Sequence, residues 1–177
     1  MVEWTKQKES YLDSAEGYFM LGMYKDALAE IEKILAIESN EQKAQYLRGI
    51  VLIQLKKFDI AEAQFNNLIL INPDNPDLYV HLAYILRRMR GLDAAIIAIK
   101  NALRLNPGMP IANYNLACYY SMKNDIENSL KYLKKAVELD TAYALAARDD
   151  EDFELIRSDS RFKELIRIEK SQENQEK

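Results

Sequence analysis

The chain has 177 residues, of which 49% are hydrophobic and 29% are charged, and its formal net charge at pH 7 is −4. This composition fits an ordered domain with a continuous core and argues against a broadly basic surface for nucleic acid. The single cysteine rules out an internal disulfide framework and favours a reducing compartment, so we expect a cytoplasmic protein.

No apolar stretch approaches the ~20 residues of a membrane span, and the first ten residues lack the apolar segment of a signal peptide. We therefore expect no membrane insertion. The helical periodicity of apolar residues predicts eight helices, at about 8–21, 25–38, 42–55, 59–72, 77–89, 93–105, 111–123 and 127–140. Gly91 should end the fifth helix, because glycine accepts the positive φ that many helix ends require.

Beyond residue 143 the sequence predicts a short helix, an acidic turn, one turn around Phe153 and Leu155, and a last helix from about Ser160. Thr141 and Asp159 are the expected N-caps. The apolar residues expected to cover the preceding helices are Phe153, Leu155, Phe162, Leu165 and Ile166. At the other end, Trp4 is expected to extend and cap the first helix.

The main pattern of the chain is a repeat of 34 residues, which spans residues 8–143. Small residues recur at Ala15, Gly49, Ala83 and Ala117, and again at Ala27, Ala61, Ala95 and Ser129. Periods of this size are typical of solenoids, in which each unit buries its apolar face against its neighbours. Small residues at these positions would let paired helices cross closely.

The segments "YVHLAYILRRMRGLDAAIIAIKNALRLNP" and "YNLACYYSMKNDIENSLKYLKKAVELD" resemble the tetratricopeptide repeat (TPR) family. The resemblance implies an all-α, right-handed α-solenoid of four helix pairs at 8–41, 42–75, 76–109 and 110–143, after a short N-terminal extension. Residues 144–170 would then form C-terminal capping helices and residues 171–177 a disordered tail, because a solenoid end needs a cap to stay soluble.

A groove lined by the first helix of each pair is the binding surface that this arrangement implies. The residues expected to line the groove are Leu12, Glu16, Phe19, Tyr46, Ile50, Ile53, His81, Tyr84, Arg87, Arg88, Tyr114, Asn115, Cys118 and Met122. The tyrosines supply large contact areas at a low cost in entropy. Arg87 and Arg88 would favour an acidic residue in the bound segment.

The sequence offers no recognised catalytic motif, so we expect no enzyme activity, no cofactor and no metal site. Cys118, His81 and Asn115 are the residue types of a cysteine hydrolase, but nothing in the sequence supplies an oxyanion hole, and we interpret them as core and groove residues. The acidic run at residues 149–154 lacks the glycine and spacing of a calcium loop, and we interpret it as a solvated connector.

These observations predict a protein–protein interaction adaptor or assembly factor that binds a partner peptide or segment in the groove, and no nucleic acid. The alternative is a self-associating scaffold that forms a homo-oligomer through its groove or end surfaces. The apolar content of those surfaces supports the alternative, and light scattering across concentration would separate the two.

Overall fold

The computed structural model describes residues 2–167, which form ten α-helices and one 3₁₀ helix and contain no strand. The chain divides into two compact units, Met1–Met89 and Arg90–Lys177. This division falls inside the third predicted repeat, between its two helices. The all-α prediction is confirmed.

The first unit contains five helices, each of which packs against the next along the chain. They are α1 (Val2–Met20), α2 (Tyr24–Ile37), α3 (Gln42–Gln54), α4 (Phe58–Ile71) and α5 (Pro76–Met89). The second unit contains α6 (Leu92–Leu105), α7 (Pro110–Met122), α8 (Ile126–Leu139), α9 (Ala142–Asp149), the 3₁₀ helix (Glu151–Ile156) and α10 (Ser160–Leu165). For α2 to α8 the predicted limits are correct to within one residue, whereas α1 begins well before residue 8.

Three of the four turns that follow the first helix of a pair share one backbone geometry. Gly22, Lys56 and Asn124 lie 34 residues apart or twice that distance, and they have φ of 73°, 57° and 58°. In each turn the next amide donates to a carbonyl five residues earlier, over 2.8–2.9 Å, which satisfies an open helix end. Gly91 has φ 88°, so the positive φ predicted for it is confirmed.

The small residues of the repeat are buried, and one of them lies at a close approach between two helices. A Cβ atom at Gly49 of α3 would lie 2.9 Å from Cε2 of Phe65 in α4, closer than carbon atoms normally approach. Ala15, Ala83 and Ala117 are fully buried. Ser129, which replaces the alanine of the other repeats, donates a buried hydrogen bond of 2.9 Å to the carbonyl of Ala117.

Two details of the C-terminal segment differ from the prediction. Thr141 makes no capping hydrogen bond with its side chain; instead Asp140 Oδ1 accepts from the amide of Ala142 over 2.9 Å. Leu155 is 59% exposed, and its neighbour Ile156 is buried because the 3₁₀ helix turns that residue inward. Asp159 accepts from the amide of Arg161 over 2.8 Å, as predicted for an N-cap.

Trp4 and two C-terminal aromatic residues are positioned as the sequence predicts. Trp4 lies within α1, is partly buried, and donates from Nε1 to Glu38 Oε2 over 3.4 Å, which confirms that it extends the first helix. Phe153 and Phe162 are fully buried, as expected for covering residues. The predicted tail 171–177 and the last residues of the predicted cap, 168–170, lie outside the described residues.

Candidate functional site

The cap segment, which we define as residues 142–165, covers part of α7. The Tyr114 hydroxyl donates to Asp150 Oδ2 over 2.8 Å, and the Tyr114 ring packs against the rings of Tyr143 and Phe153 at 4.9 and 5.6 Å. Burial, together with the hydrogen bond to Asp150, raises the pKa of the Tyr114 phenol far above its usual value. The phenol is therefore a permanent hydrogen-bond donor at neutral pH.

Cys118, one turn after Tyr114, shares the same carboxylate. Its Sγ lies 3.9 Å from Asp150 Oδ2. The Cys118 sulfur and one carboxylate oxygen each from Asp150 and Asp152 lie within 4.8 Å of one another. The other Asp150 oxygen accepts from the amide of Asp152 over 2.9 Å and caps the 3₁₀ helix. The interpretation of residues 149–154 as a solvated connector is therefore wrong for Asp150, whose carboxylate contacts Tyr114 and caps the 3₁₀ helix.

An aromatic face on α3 and α5 brings together half-buried ring side chains of the first unit. We define the aromatic face as Tyr46, Ile50, His81, Tyr84 and Arg88. The Tyr46 hydroxyl and His81 Nε2 share a hydrogen bond of 2.9 Å, whose direction follows the imidazole tautomer. Both rings rest on buried Phe65, and the His81 ring stacks on it at 5.0 Å and 25°.

Burial lowers the pKa of His81, and Asp77 opposes this effect only in part. His81 is therefore neutral at pH 7. Burial also raises the pKa of the Tyr46 hydroxyl, which stays protonated. The centre of the aromatic face is thus uncharged and polar, with one hydrogen bond already formed inside it.

Charged side chains lie beside this uncharged centre. The Arg88 guanidinium lies over the Tyr84 ring at 5.3 Å from its centroid. Lys43 at the start of α3 pairs with Glu16 of α1 over 2.7 Å, and both side chains are about half exposed. The spacing of His81, Tyr84 and Arg88 places them on one side of α5.

The structure removes four of the predicted groove residues from the surface. Leu12 and Ile53 are only 7% and 8% exposed because they belong to the cores beneath α1 and α3. Tyr114 and Cys118 are 7% and 3% exposed because the cap segment covers them. The prediction that these four side chains face a partner is corrected accordingly.

The remaining predicted groove residues keep some exposure. Those that are half-buried are Glu16, Phe19, Tyr46, Ile50, His81, Tyr84, Arg87 and Asn115, whereas Arg88 and Met122 are exposed. His81 has its hydrogen bond with Tyr46, and Cys118 has its contact with Asp150. The residue types that suggested a hydrolase are thus engaged in two local networks with other partners.

The helices and their 34-residue spacing define an all-helical repeat protein. Family models described as tetratricopeptide repeat match residues 18–83 in one case, and residues 76–109 and 111–143 in another. The chain therefore belongs to the tetratricopeptide repeat family. Proteins of this family are protein-interaction modules, and at that general level the chain is a protein-interaction scaffold.

Solved structures with a similar fold include several of the protein MamA. MamA 41-end from Desulfovibrio magneticus RS-1 is 22% identical, with 76% of each chain covered and a TM-score of 0.68. A second MamA crystal structure is 16% identical over 94% of this chain and 90% of that one, with a TM-score of 0.70. MamA AMB-1 is 26% identical over 75% and 78% of the two chains, with a TM-score of 0.60.

A comparison with curated proteins gave no match. In residues 2–167, no helix has both the length and the apolar character needed to cross a membrane.

Proposed function

We propose that the chain is an adaptor or assembly factor whose aromatic face binds a segment of a partner protein. The observation that carries this proposal is the group of half-buried rings of Tyr46, His81 and Tyr84 on the first helices of neighbouring pairs. Rings of this kind are enriched among the residues that dominate binding energy, since they offer a large, rigid contact area. Within this family, a protein partner is the general expectation.

The chemistry of the aromatic face suits an apolar or aromatic anchor with an acidic residue nearby. Phe65 supports the rings from below, so they need little reordering when a partner arrives. Arg88 at one end of the face would attract a carboxylate and would act mainly on the rate of encounter. The neutral His81–Tyr46 pair offers polar atoms without the cost of burying a charge.

The experiment compares variants of the full chain as bait in native lysate and then measures the captured partner after purification. Tyr84→Ala should weaken binding by ~1–3 kcal/mol, as expected for a central aromatic anchor. Arg88→Glu should slow association and reduce its dependence on salt. Lys25→Ala, which changes an exposed residue of α2, is the control and should leave binding unchanged. A purified partner that binds Tyr84→Ala and Lys25→Ala with equal affinity would refute the proposal.

Self-association is the second candidate function, supported by exposed apolar side chains in the first unit. Leu70 and Ile71, at the end of α4, are 82% and 56% exposed, and Met20 and Leu21 are 85% and 74% exposed. Apolar residues grouped in this way often mark contact surfaces. Light scattering across concentration should show oligomers that Leu70→Glu disperses; a wild-type monomer at all concentrations would exclude this candidate.

A further inference from the structure

The second unit carries an unusual arrangement of lysines and tyrosines on α6, α7 and α8. Tyr120 of α7 stacks on Tyr132 of α8, with centroids 5.8 Å apart and ring planes 10° apart. Lys100 of α6 lies over the Tyr120 ring at 5.6 Å, and Lys131 lies over the Tyr132 ring at 5.5 Å. We call these four residues the Lys–Tyr patch.

The two lysines of the Lys–Tyr patch have no acidic partner. In the described part of the chain, neither Lys100 nor Lys131 forms an ion pair with a carboxylate. Lys33 offers a contrast, since it also lies over a ring, that of Tyr11, yet it pairs with Glu30 over 2.7 Å. The Lys–Tyr patch therefore keeps two ammonium groups that are held in place by rings and are open to an external anion.

The rings restrict where the ammonium groups can go. A cation over a tyrosine face gains roughly 0.5–1 kcal/mol at an exposed site, which is enough to favour one side-chain arrangement. A hydrogen bond to the Tyr120 side chain also raises the pKa of Lys100, so its charge is secure at neutral pH. Ordering a lysine in advance lowers the entropy cost of a later contact.

The arrangement of the rings decides which class of ligand fits. Proteins that bind single-stranded nucleic acid offer open aromatic faces on which bases stack. Here each ring stacks on the other and also carries an ammonium group, so neither ring presents a fully open face to a base. Two ammonium groups carried by different helices, α6 and α8, suit two carboxylates on one chain.

We propose that the Lys–Tyr patch is a second interaction surface that binds an acidic peptide segment of a partner protein through Lys100 and Lys131. This surface is distinct from the aromatic face, because its residues lie on α6, α7 and α8 of the second unit.

The test uses a fluorescein-labelled peptide of alternating glutamate and glycine, with a glutamine–glycine peptide as its uncharged counterpart. Anisotropy should show binding of the glutamate peptide alone, which weakens as salt is added. Lys100→Gln with Lys131→Gln should reduce affinity roughly tenfold. Lys25→Gln with Lys57→Gln makes the same charge change on exposed residues of the first unit and should leave affinity unchanged.

Two further measurements locate the site and separate the ligand classes. Amide chemical shifts on adding the peptide should change around Lys100, Tyr120 and Tyr132, and Tyr132→Leu should weaken binding although both lysines remain. Shifts confined to the aromatic face would overturn this proposal while leaving the proposed function standing. Binding of an oligouridylate, or of phosphatidylglycerol vesicles, to the Lys–Tyr patch without binding of the peptide would also overturn it.

Discussion

The packing around Gly49 predicts how the stability of the first unit changes when a methyl group is added. In a helix, Gly→Ala normally stabilises by roughly 0.5–1 kcal/mol, because alanine restricts the unfolded chain. At Gly49, however, the new methyl group would lie 2.9 Å from Cε2 and 3.0 Å from Cζ of Phe65. Phe65 is fully buried, and its ring also packs against the rings of Tyr46 and His81. The ring must move, and overpacking of this kind typically costs about 1–3 kcal/mol.

We therefore expect Gly49→Ala to destabilise the protein by about 1 kcal/mol, which is an overpacking cost of about 2 kcal/mol less a helical gain of about 0.75 kcal/mol. Gly17 of α1 is the matched control, because a Cβ there meets no atom within 4 Å. Gly17→Ala should stabilise by roughly 0.5–1 kcal/mol.

Urea unfolding followed by circular dichroism measures both variants of the first unit. The midpoint should fall for Gly49→Ala and rise for Gly17→Ala, with opposite signs for the same chemical change. A second measurement uses the single histidine, whose ring stacks on Phe65. Its Hε1 chemical shift should move in Gly49→Ala and stay in place in Gly17→Ala. If Gly49→Ala raised the midpoint as Gly17→Ala does, the close approach of α3 to Phe65 would be refuted.

Burial lowers the pKa of His81 in the folded state, so the unfolded chain binds the proton more tightly. The stability of the protein should therefore fall as the pH drops from about 7 to 5. Urea midpoints measured across this pH range should lose that dependence in His81→Gln. Tyr114→Phe removes the donor to Asp150 and should cost about 1.5–3 kcal/mol in thermal unfolding, whereas Tyr79→Phe, which loses an exposed bond, should cost little; equal costs would contradict this reasoning. Deleting 152–177 removes three buried apolar side chains and should increase dye binding and aggregation, whereas deleting 171–177 should do neither; equal behaviour of the two truncations would contradict the covering role of the cap segment.

The helices were predictable from the sequence because their determinants repeat. One period of 34 residues sets the apolar stripes, and Gly91 and Pro107 mark where helices must end. Lys56 and Asn124 were not recognised as left-handed residues, because only the first and third turns use glycine. The serine at 129 looked like a departure from the repeat, yet it supplies a buried hydrogen bond to α7. A hydroxyl in a core is readable only when its acceptor is known.

The aromatic face was only partly predictable. The spacing of Tyr46, His81 and Tyr84 predicted that they lie on the groove side of their helices, and in the structure all three are half-buried. Helical spacing alone could not show that Phe65 of α4 supports the rings, since that contact joins residues of different helices. Leu12 and Ile53 were assigned to the same side by spacing, but they belong to the cores beneath α1 and α3.

The different fates of Tyr46 and Tyr114 show where repeat logic ends. The two tyrosines occupy the same position of the 34-residue repeat, and Ile50 corresponds in the same way to Cys118. In the first unit Tyr46 contacts His81 and is half-buried, whereas in the second unit Tyr114 contacts Asp150 and Phe153 and is buried. The difference arises outside the repeat, because the cap segment packs against α7, whereas α5 of the next repeat supplies the contact at the corresponding position of α3. A periodic sequence predicts which side of a helix a residue occupies. Whether that side stays exposed depends on the segment that packs against it, and for α7 this is the cap segment, which lies outside the repeat.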